Sequence, residues 1–210
     1  MAEELVFYTN PMSRGRIVRW MLEEVGQPYR TQVLDYAESM KSPAYLAINP
    51  MGKVPALTHG VTVITEGAAI CAYLADAFPQ AGLAPPPADP ERGPYYRWLF
   101  FAAGPLESAL TNRRLGVEVS PEQQRMAGYG SYAQVMDALE QTLDGREYLA
   151  GGRFSAADLY LGANLDYAMN FGAVEKRPAF EAYVARLRKR PAYVRASEID
   201  NGLVAAQQPA

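Results

Sequence analysis

From Leu5 to Tyr8 the chain is apolar without interruption, the breaker stretch Thr9-Asn10-Pro11-Met12-Ser13 follows, and Ile17, Val18, Met21, Leu22 and Val25 then recur at helical spacing. The pattern predicts a strand, a turn and a helix from about Arg14 to Val25, with Ser13 as N-cap and Gly26 as the stop. Tyr29 to Leu34 reads as a second strand, which a helical crossover places parallel to the first, giving a βαβ unit. A helical turn over Pro43 to Ile48 comes next. Ala56 to Thr58 and Val61 to Ile64 flank His59-Gly60 as a hairpin, and Ala68 to Phe78 returns to helical spacing. The predicted order is β-α-β-α-β-β-α.

Pro79, Pro85, Pro86, Pro87, Pro90 and Pro94 then crowd a stretch that continues neither helix nor sheet. Helical patterns dominate beyond it: roughly Glu91 to Leu115, Pro121 to Leu143, Ala156 to Asn170 and Pro178 to Lys189, broken at Gly116, Gly145, Gly151-Gly152 and Gly172. Ser155-Ala-Ala-Asp158 has the spacing of a capping box. The expected architecture is therefore an α/β domain over residues 1–79, a proline-rich linker over 80–94 and an all-helical domain over 95–210.

Composition narrows the function classes. With 210 residues, 49% of them hydrophobic, the chain can bury a full core. Its 20 basic and 23 acidic residues leave a formal charge of -3, which gives no electrostatic footprint for nucleic acid. The single cysteine, Cys71, forms no internal disulfide, and the acidic start Met1-Ala2-Glu3-Glu4 is unlike a signal peptide, so a cytoplasmic protein is expected. No apolar run reaches the roughly 18 to 20 residues that span a bilayer, so no membrane partner is expected. His59 has neither a second histidine nor a cysteine pair to complete a ligand set, and no metal is expected.

Chemistry gathers in two motifs. Tyr45 to Pro55 reads Y-L-A-I-N-P-M-G-K-V-P, and T-E-G-A-A-I begins at Thr65. The Val54-Pro55 bond can be cis at little cost, turning the preceding N–H and C=O outward as an edge that an extended peptide can pair with. Glu66 falls at a strand-to-helix turn, where free helix N–H groups receive a carboxylate. Together they suit a ligand with both an amine and carboxylates.

In motif content and in order, the chain resembles the cytosolic glutathione S-transferases over nearly its whole length. The carriers are Y-T-N-P-M-S-R-G-R, N-P-M-G-K-V-P-A-L, T-E-G-A-A-I, the proline-rich linker and G-G-R-F-S-A-A-D-L-Y. The resemblance implies a thioredoxin-like N-terminal domain that binds glutathione, an all-helical C-terminal domain lining an apolar electrophile site, a detoxifying transferase activity and a homodimer. P-M-S at the first strand-to-helix turn resembles the serine-dependent branches, which makes Ser13 the expected donor to the glutathione sulfur. A free thiol has a pKa of about 8.5 and only its thiolate attacks efficiently, so a hydroxyl and a helix N-terminus aimed at sulfur would activate it. Arg14 and Arg16 raise the local potential. Ser is equally a good plain N-cap.

Tyr8 is the rival donor, resembling an auxiliary tyrosine of bacterial branches; an ordinary strand aromatic is the other reading of it. The turn lacks the cysteines that a glutaredoxin carries there, which argues against dithiol chemistry. For glutathione the resemblance implies Asn10, Lys53 at the glycyl carboxylate, Val54 and Pro55 as the backbone edge, and Glu66 at the γ-glutamyl amine. Gly67 departs from the usual Ser and loses a hydroxyl, for which Arg14, Lys41 or Asn49 are candidates to compensate. Met12, Tyr96, Phe101 and Tyr167 are candidates for the electrophile site. Cys71, among Ile70, Tyr73, Leu74 and Phe78, reads as buried filler. Isomerase, dehalogenase or disulfide reductase activity on the same scaffold, or non-catalytic glutathione binding, remains open at this level.

Overall fold

The computed structural model describes residues 3–207. Its packing separates two units: the chain up to Gly82 together with the segment from Lys189, and Leu83–Arg188.

The first unit is built on a four-stranded sheet in the order β2-β1-β3-β4. Strand β1 (Leu5–Thr9) leads through α1 (Gly15–Val25) to β2 (Arg30–Val33), which pairs parallel to β1 as the βαβ reading requires. Helix α2 (Pro43–Leu46) precedes the antiparallel hairpin of β3 (Ala56–His59) and β4 (Thr62–Thr65), which runs into α3 (Gly67–Ala77). The register pairs His59 with Thr62, so the turn is Gly60-Val61, one residue later than the sequence suggests. Helix α1 buries Ile17, Val18, Met21, Leu22 and Val25, each contributing roughly 1.5–3 kcal/mol of burial, and packs beside α3. Leu34, Met40, Tyr45 and Ala56 make a separate small core, on which Tyr8, Ile48 and Val54 also pack.

A helix that the sequence pattern does not reveal closes this unit. Helix α9 (Pro191–Gln207) lies along α1. Its buried positions are Ala192, Ala196 and Asp200, four apart and small or charged, so no apolar stripe marks them. The contacts show the two helices antiparallel, the start of α9 lying at the end of α1 and its later part at the beginning: Arg190 with Glu24 (2.6 Å), Arg195 with Glu23 (3.2 Å) and Tyr193 edge-on to Trp20 (5.0 Å), then Asp200 with Arg19 (2.7 Å) and Asn201 with Arg16 (3.0 Å). The helical domain expected to reach residue 210 thus ends, by packing, at Arg188.

The second unit holds α4 (Arg92–Phe101), α5 (Glu107–Arg114), α6 (Tyr132–Leu143), α7 (Ala156–Asn170) and α8 (Pro178–Leu187). A π-helical stretch with Pro105 inside it joins α4 to α5, where one continuous helix is predicted. Helix α6 starts eleven residues later than Pro121, because Gly130 takes φ 68° and Ser131 with Gln134 forms a capping box there. The proline-rich stretch is anchored rather than free: Leu83 is buried and accepts from the Ala156 N–H (2.7 Å), while the Pro85 carbonyl accepts from Arg92 (2.7 Å). The predicted box at α7 is present. The buried Asp158 carboxylate accepts from Ser155 N–H (2.9 Å) and hydroxyl (2.7 Å), Leu149 N–H (2.8 Å) and the Tyr183 hydroxyl (2.7 Å).

Candidate active site

Strand register decides which motifs meet. Tyr8 pairs with Ala56, and Ala56 with Thr65. One step further along, the same register sets Thr9, Pro55 and Glu66 abreast, so the turn after β1, the Lys53-Val54 segment and the start of α3 gather at one end of the sheet.

The turn after β1 is held by its own polar groups. Asn10, 5% exposed, donates its Nδ2 to the Leu34 carbonyl (2.8 Å) and accepts the Met12 N–H (2.9 Å). Its side chain is therefore spent on shaping the turn and tying it to the end of β2, where the Leu34 N–H also bonds the Thr9 carbonyl (2.8 Å). Ser13 is half-buried. Its Oγ accepts the Gly15 N–H (2.9 Å) and donates to the Asn10 carbonyl (2.7 Å). It thus caps the head of α1 from one position outside the helix, since Arg14 sits at the N-cap and provides no side-chain cap. Met12 is 60% exposed on the same turn, and Arg14 is exposed.

Tyr8 faces the small core, its ring 5.7 Å from that of Tyr45. Among the described residues its hydroxyl has no hydrogen-bond partner.

The Val54-Pro55 bond is cis. The preceding carbonyl, that of Lys53, is gripped twice, by the Tyr45 hydroxyl (2.5 Å) and by Asn49 Nδ2 (2.8 Å). Burial pushes the Tyr45 phenol up to about 12, against the opposing effect of Asn49, so it remains a donor across the physiological range. Asn49 is buried and also accepts the Met51 N–H (3.1 Å). It positions the edge rather than offering itself to a ligand. Lys41 likewise donates to the Gly52 carbonyl (2.8 Å), and Gly52 has φ 56° with the Met40 carbonyl 2.9 Å from where a Cβ would stand. The Lys53 side chain is exposed, and the Val54 N–H and C=O enter none of the backbone hydrogen bonds among the described residues.

Glu66 is exposed at the N-cap of α3 with φ 67° and ψ 118°. It is the one described non-glycine residue at positive φ, a conformation that costs on the order of 1–3 kcal/mol and that its side chain does not offset by capping. The register sets this residue at the sheet end shared with Val54.

The aromatic candidates separate. Tyr96 accepts from Arg92 (2.8 Å) and lies beside Phe100, whereas Phe101 packs on Trp98 (5.2 Å). Five residues along a helix are about 140° apart, so Tyr96 and Phe101 share no face. Tyr167 is exposed and stacks on Phe171 (4.4 Å), a better-matched apolar pair. Cys71 is fully buried and burial raises its thiol far above the usual range, which makes it inert. Among the described residues no His, Cys, Asp and Glu group of three or more is placed to hold a metal ion, and no helix is long and apolar enough to cross a membrane.

The first unit thus carries a hydroxyl at its first strand-helix turn, a cis-Pro edge and an acidic residue at positive φ at the head of α3, and a helical unit follows. Family models for the N-terminal and C-terminal domains of glutathione S-transferase match residues 12–77 and 99–191. Glutathione S-transferase GST-4.5 of Xanthomonas campestris pv. campestris is 30% identical over 194 residues, covering 86% of this chain and 91% of the relative. A glutathione S-transferase from Xylella fastidiosa superposes with a TM-score of 0.78 at 27% identity, covering 94% of this chain and 99% of the other. A sphingomonad glutathione S-transferase complexed with glutathione gives 0.75 at 30% identity, covering 93% and 98%. The chain belongs to the glutathione S-transferase family.

Proposed function

We propose that this chain binds glutathione at the sheet end formed by the Ser13 turn, Val54 and Glu66, and conjugates it through its thiolate sulfur to an electrophilic carbon of a small apolar molecule. The observation that carries the reading is the convergence of a helix-head hydroxyl, a free backbone edge and a strained carboxylate on one end of the sheet. Glutathione would pair its backbone with the Val54 N–H and C=O, set its γ-glutamyl amine on Glu66 and its glycyl carboxylate near Lys53. Its sulfur would take the Ser13 O–H now held by the Asn10 carbonyl. That exchange is favourable, since a hydrogen bond to an ion contributes about 1.5–3 kcal/mol against about 1 for a neutral one. The thiol proton passes to solvent as the thiolate forms, and the thiolate then makes a C–S bond while the leaving group departs with the bonding pair. Met12, exposed on the same turn as Ser13, is the proposed apolar contact for the electrophile within the first unit.

Assay of the purified protein with glutathione against electrophiles, disulfides and peroxides tests this reading. Conjugation is expected; turnover of disulfides alone would replace transfer by reduction, and binding without turnover would make the protein a glutathione-responsive binder. The buried Cys71 suits a reducing cytoplasm.

Glu66→Gln is expected to weaken glutathione binding by roughly tenfold or more, the scale of one charge-assisted contact, with little change in melting temperature because Glu66 is exposed and caps nothing. Gly67→Ser should tighten binding modestly. Titration calorimetry decides, and unchanged affinity in Glu66→Gln removes the carboxylate from the site. A homodimer is also proposed, and light scattering should return twice the chain mass; an active monomer would refute it.

A further inference from the structure

The turn that carries Ser13 is braced from outside. Arg16, on the first turn of α1, donates Nε to the Pro11 carbonyl (2.6 Å) and Nη2 to Asn201 Oδ1 of α9 (3.0 Å). Pro11 lies between Asn10, which shapes the turn, and Ser13. The guanidinium therefore joins the middle of the turn to the far end of the α9 ladder, whose other rungs hold α9 along α1 through Glu24, Trp20, Glu23 and Arg19. Arg16, Arg19 and Glu23 recur at spacings of three and four, so one face of α1 carries the ladder.

We infer that Arg16 is a positioning residue for the sulfur-binding turn, acting through its planar fork rather than its charge, and that Asn201 fixes the direction of that fork. The inference rests on the proposed reading only for the claim that the turn holds sulfur; that the turn is braced is a separate statement about the free protein. A guanidinium offers several donors in one rigid plane and can hold two acceptors at once along fixed directions, whereas an ammonium is a point charge on a flexible stem. With Arg16 pinned at both ends, the Pro11 carbonyl and hence the Ser13 hydroxyl have one position. A displacement of about 1 Å at a reacting group costs up to the order of a hundredfold in rate. The Asn201 contact is exposed and the Pro11 contact partly buried, so loss of Arg16 should outweigh loss of Asn201.

Four variants test it: Arg16→Ala, Arg16→Lys, Asn201→Ala and the double variant Arg16→Ala/Asn201→Ala. The first readout is amide exchange in the free protein at Met12 and Ser13, whose N–H groups bond within the turn (2.9 and 3.0 Å). Arg16→Ala should speed exchange there about tenfold and Asn201→Ala about threefold, the scale of one hydrogen bond lost in a partly and a fully wetted setting. The double variant should match Arg16→Ala, because both residues act through one contact. The second readout is thiolate absorbance against pH in the glutathione complex, with kcat and KM measured separately. Arg16→Ala and Arg16→Lys should both raise the thiol pKa and lower kcat more than they raise KM. Restoration of exchange and titration by Arg16→Lys would show that charge alone is used and would overturn the inference. Unchanged exchange in all four would do the same. If exchange behaves as expected while the wild-type complex shows no thiolate at all, the brace stands and the proposed function falls.

Discussion

Ser13→Ala should raise the thiol pKa of bound glutathione and lower kcat/KM by about 10- to 1,000-fold, the range for losing one aimed donor. The sign over pH follows from the thiolate population. On the proposed reading the bound thiol of the wild type is expected to titrate below its free value of about 8.5 and that of the variant closer to it, so that near neutral pH the wild type holds the larger thiolate fraction. The deficit should therefore be greatest below the wild-type value and shrink as pH rises past that of the variant, leaving only the part due to lost orientation. Ser13 also accepts the Gly15 N–H, so its loss carries a capping cost of about 0.5–2 kcal/mol. That cost lowers the unfolding midpoint without moving a thiol titration, which separates the two roles. Tyr8→Phe is the comparison, since Tyr8 lies on the small core beneath the same sheet end. A larger titration shift in Tyr8→Phe than in Ser13→Ala would reassign the sulfur donor.

The sequence disclosed this site to different depths at different residues, for physical reasons. Strand, turn and helix around Ser13 were legible because α1 buries an apolar stripe of period 3.6 and the hairpin of β3 and β4 alternates around a glycine turn. Their register did not follow, since the hairpin turn falls one residue later than the pattern suggests, and it is the observed register that sets the turn after β1, Pro55 and Glu66 at one end of the sheet. The roles of Asn10, Lys41 and Asn49 did not follow. The resemblance put Asn10 near glutathione and left Lys41 and Asn49 as candidates to replace the hydroxyl missing at Gly67, yet each is bonded inside the loop that positions the edge or the turn. A sequence states that an amide or ammonium is available and is silent on which backbone carbonyl will claim it. Arg16 shows the same limit in reverse. Its charge near the turn was evident, but its fork depends on Asn201, 185 residues away. That partner sits on a helix whose buried face is Ala192, Ala196 and Asp200, a pattern with almost no hydrophobic signal. Periodicity finds helices that bury apolar surface; α9 is held on α1 largely by paired charges.

Asp200→Ala is expected to destabilise the first unit by about 3–5 kcal/mol, the cost of removing one partner from a buried ion pair. Arg19 and Asp200 have side-chain exposures of 1% and 2%, with Nε 2.7 Å from Oδ1. Arg19 cannot shed its proton, and its remaining partners are neutral: the Tyr29 and Thr31 hydroxyls at 3.2 Å and the face of Phe7 at 5.2 Å. Its Nη2 already lacks a hydrogen bond. Deleting the carboxylate therefore strands a buried cation. Arg19→Met differs in kind, because the group left behind can neutralise itself. Burial already raises the Asp200 carboxyl despite Arg19, and removing the guanidinium raises it further. A raised folded-state value means that the native protein holds the proton more tightly than the unfolded chain. The stability that this proton confers is full below the ordinary carboxylate range and is lost as pH rises through the folded value. The Arg19→Met deficit should accordingly shrink as pH falls, whereas that of Asp200→Ala should not. Urea unfolding at several pH values measures both. The double variant Arg19→Met/Asp200→Leu, with no buried charge left, should recover most of the loss. If it is as unstable as Asp200→Ala, the packing of α9 on α1 depends on the pair itself and not on the absence of an uncompensated ion.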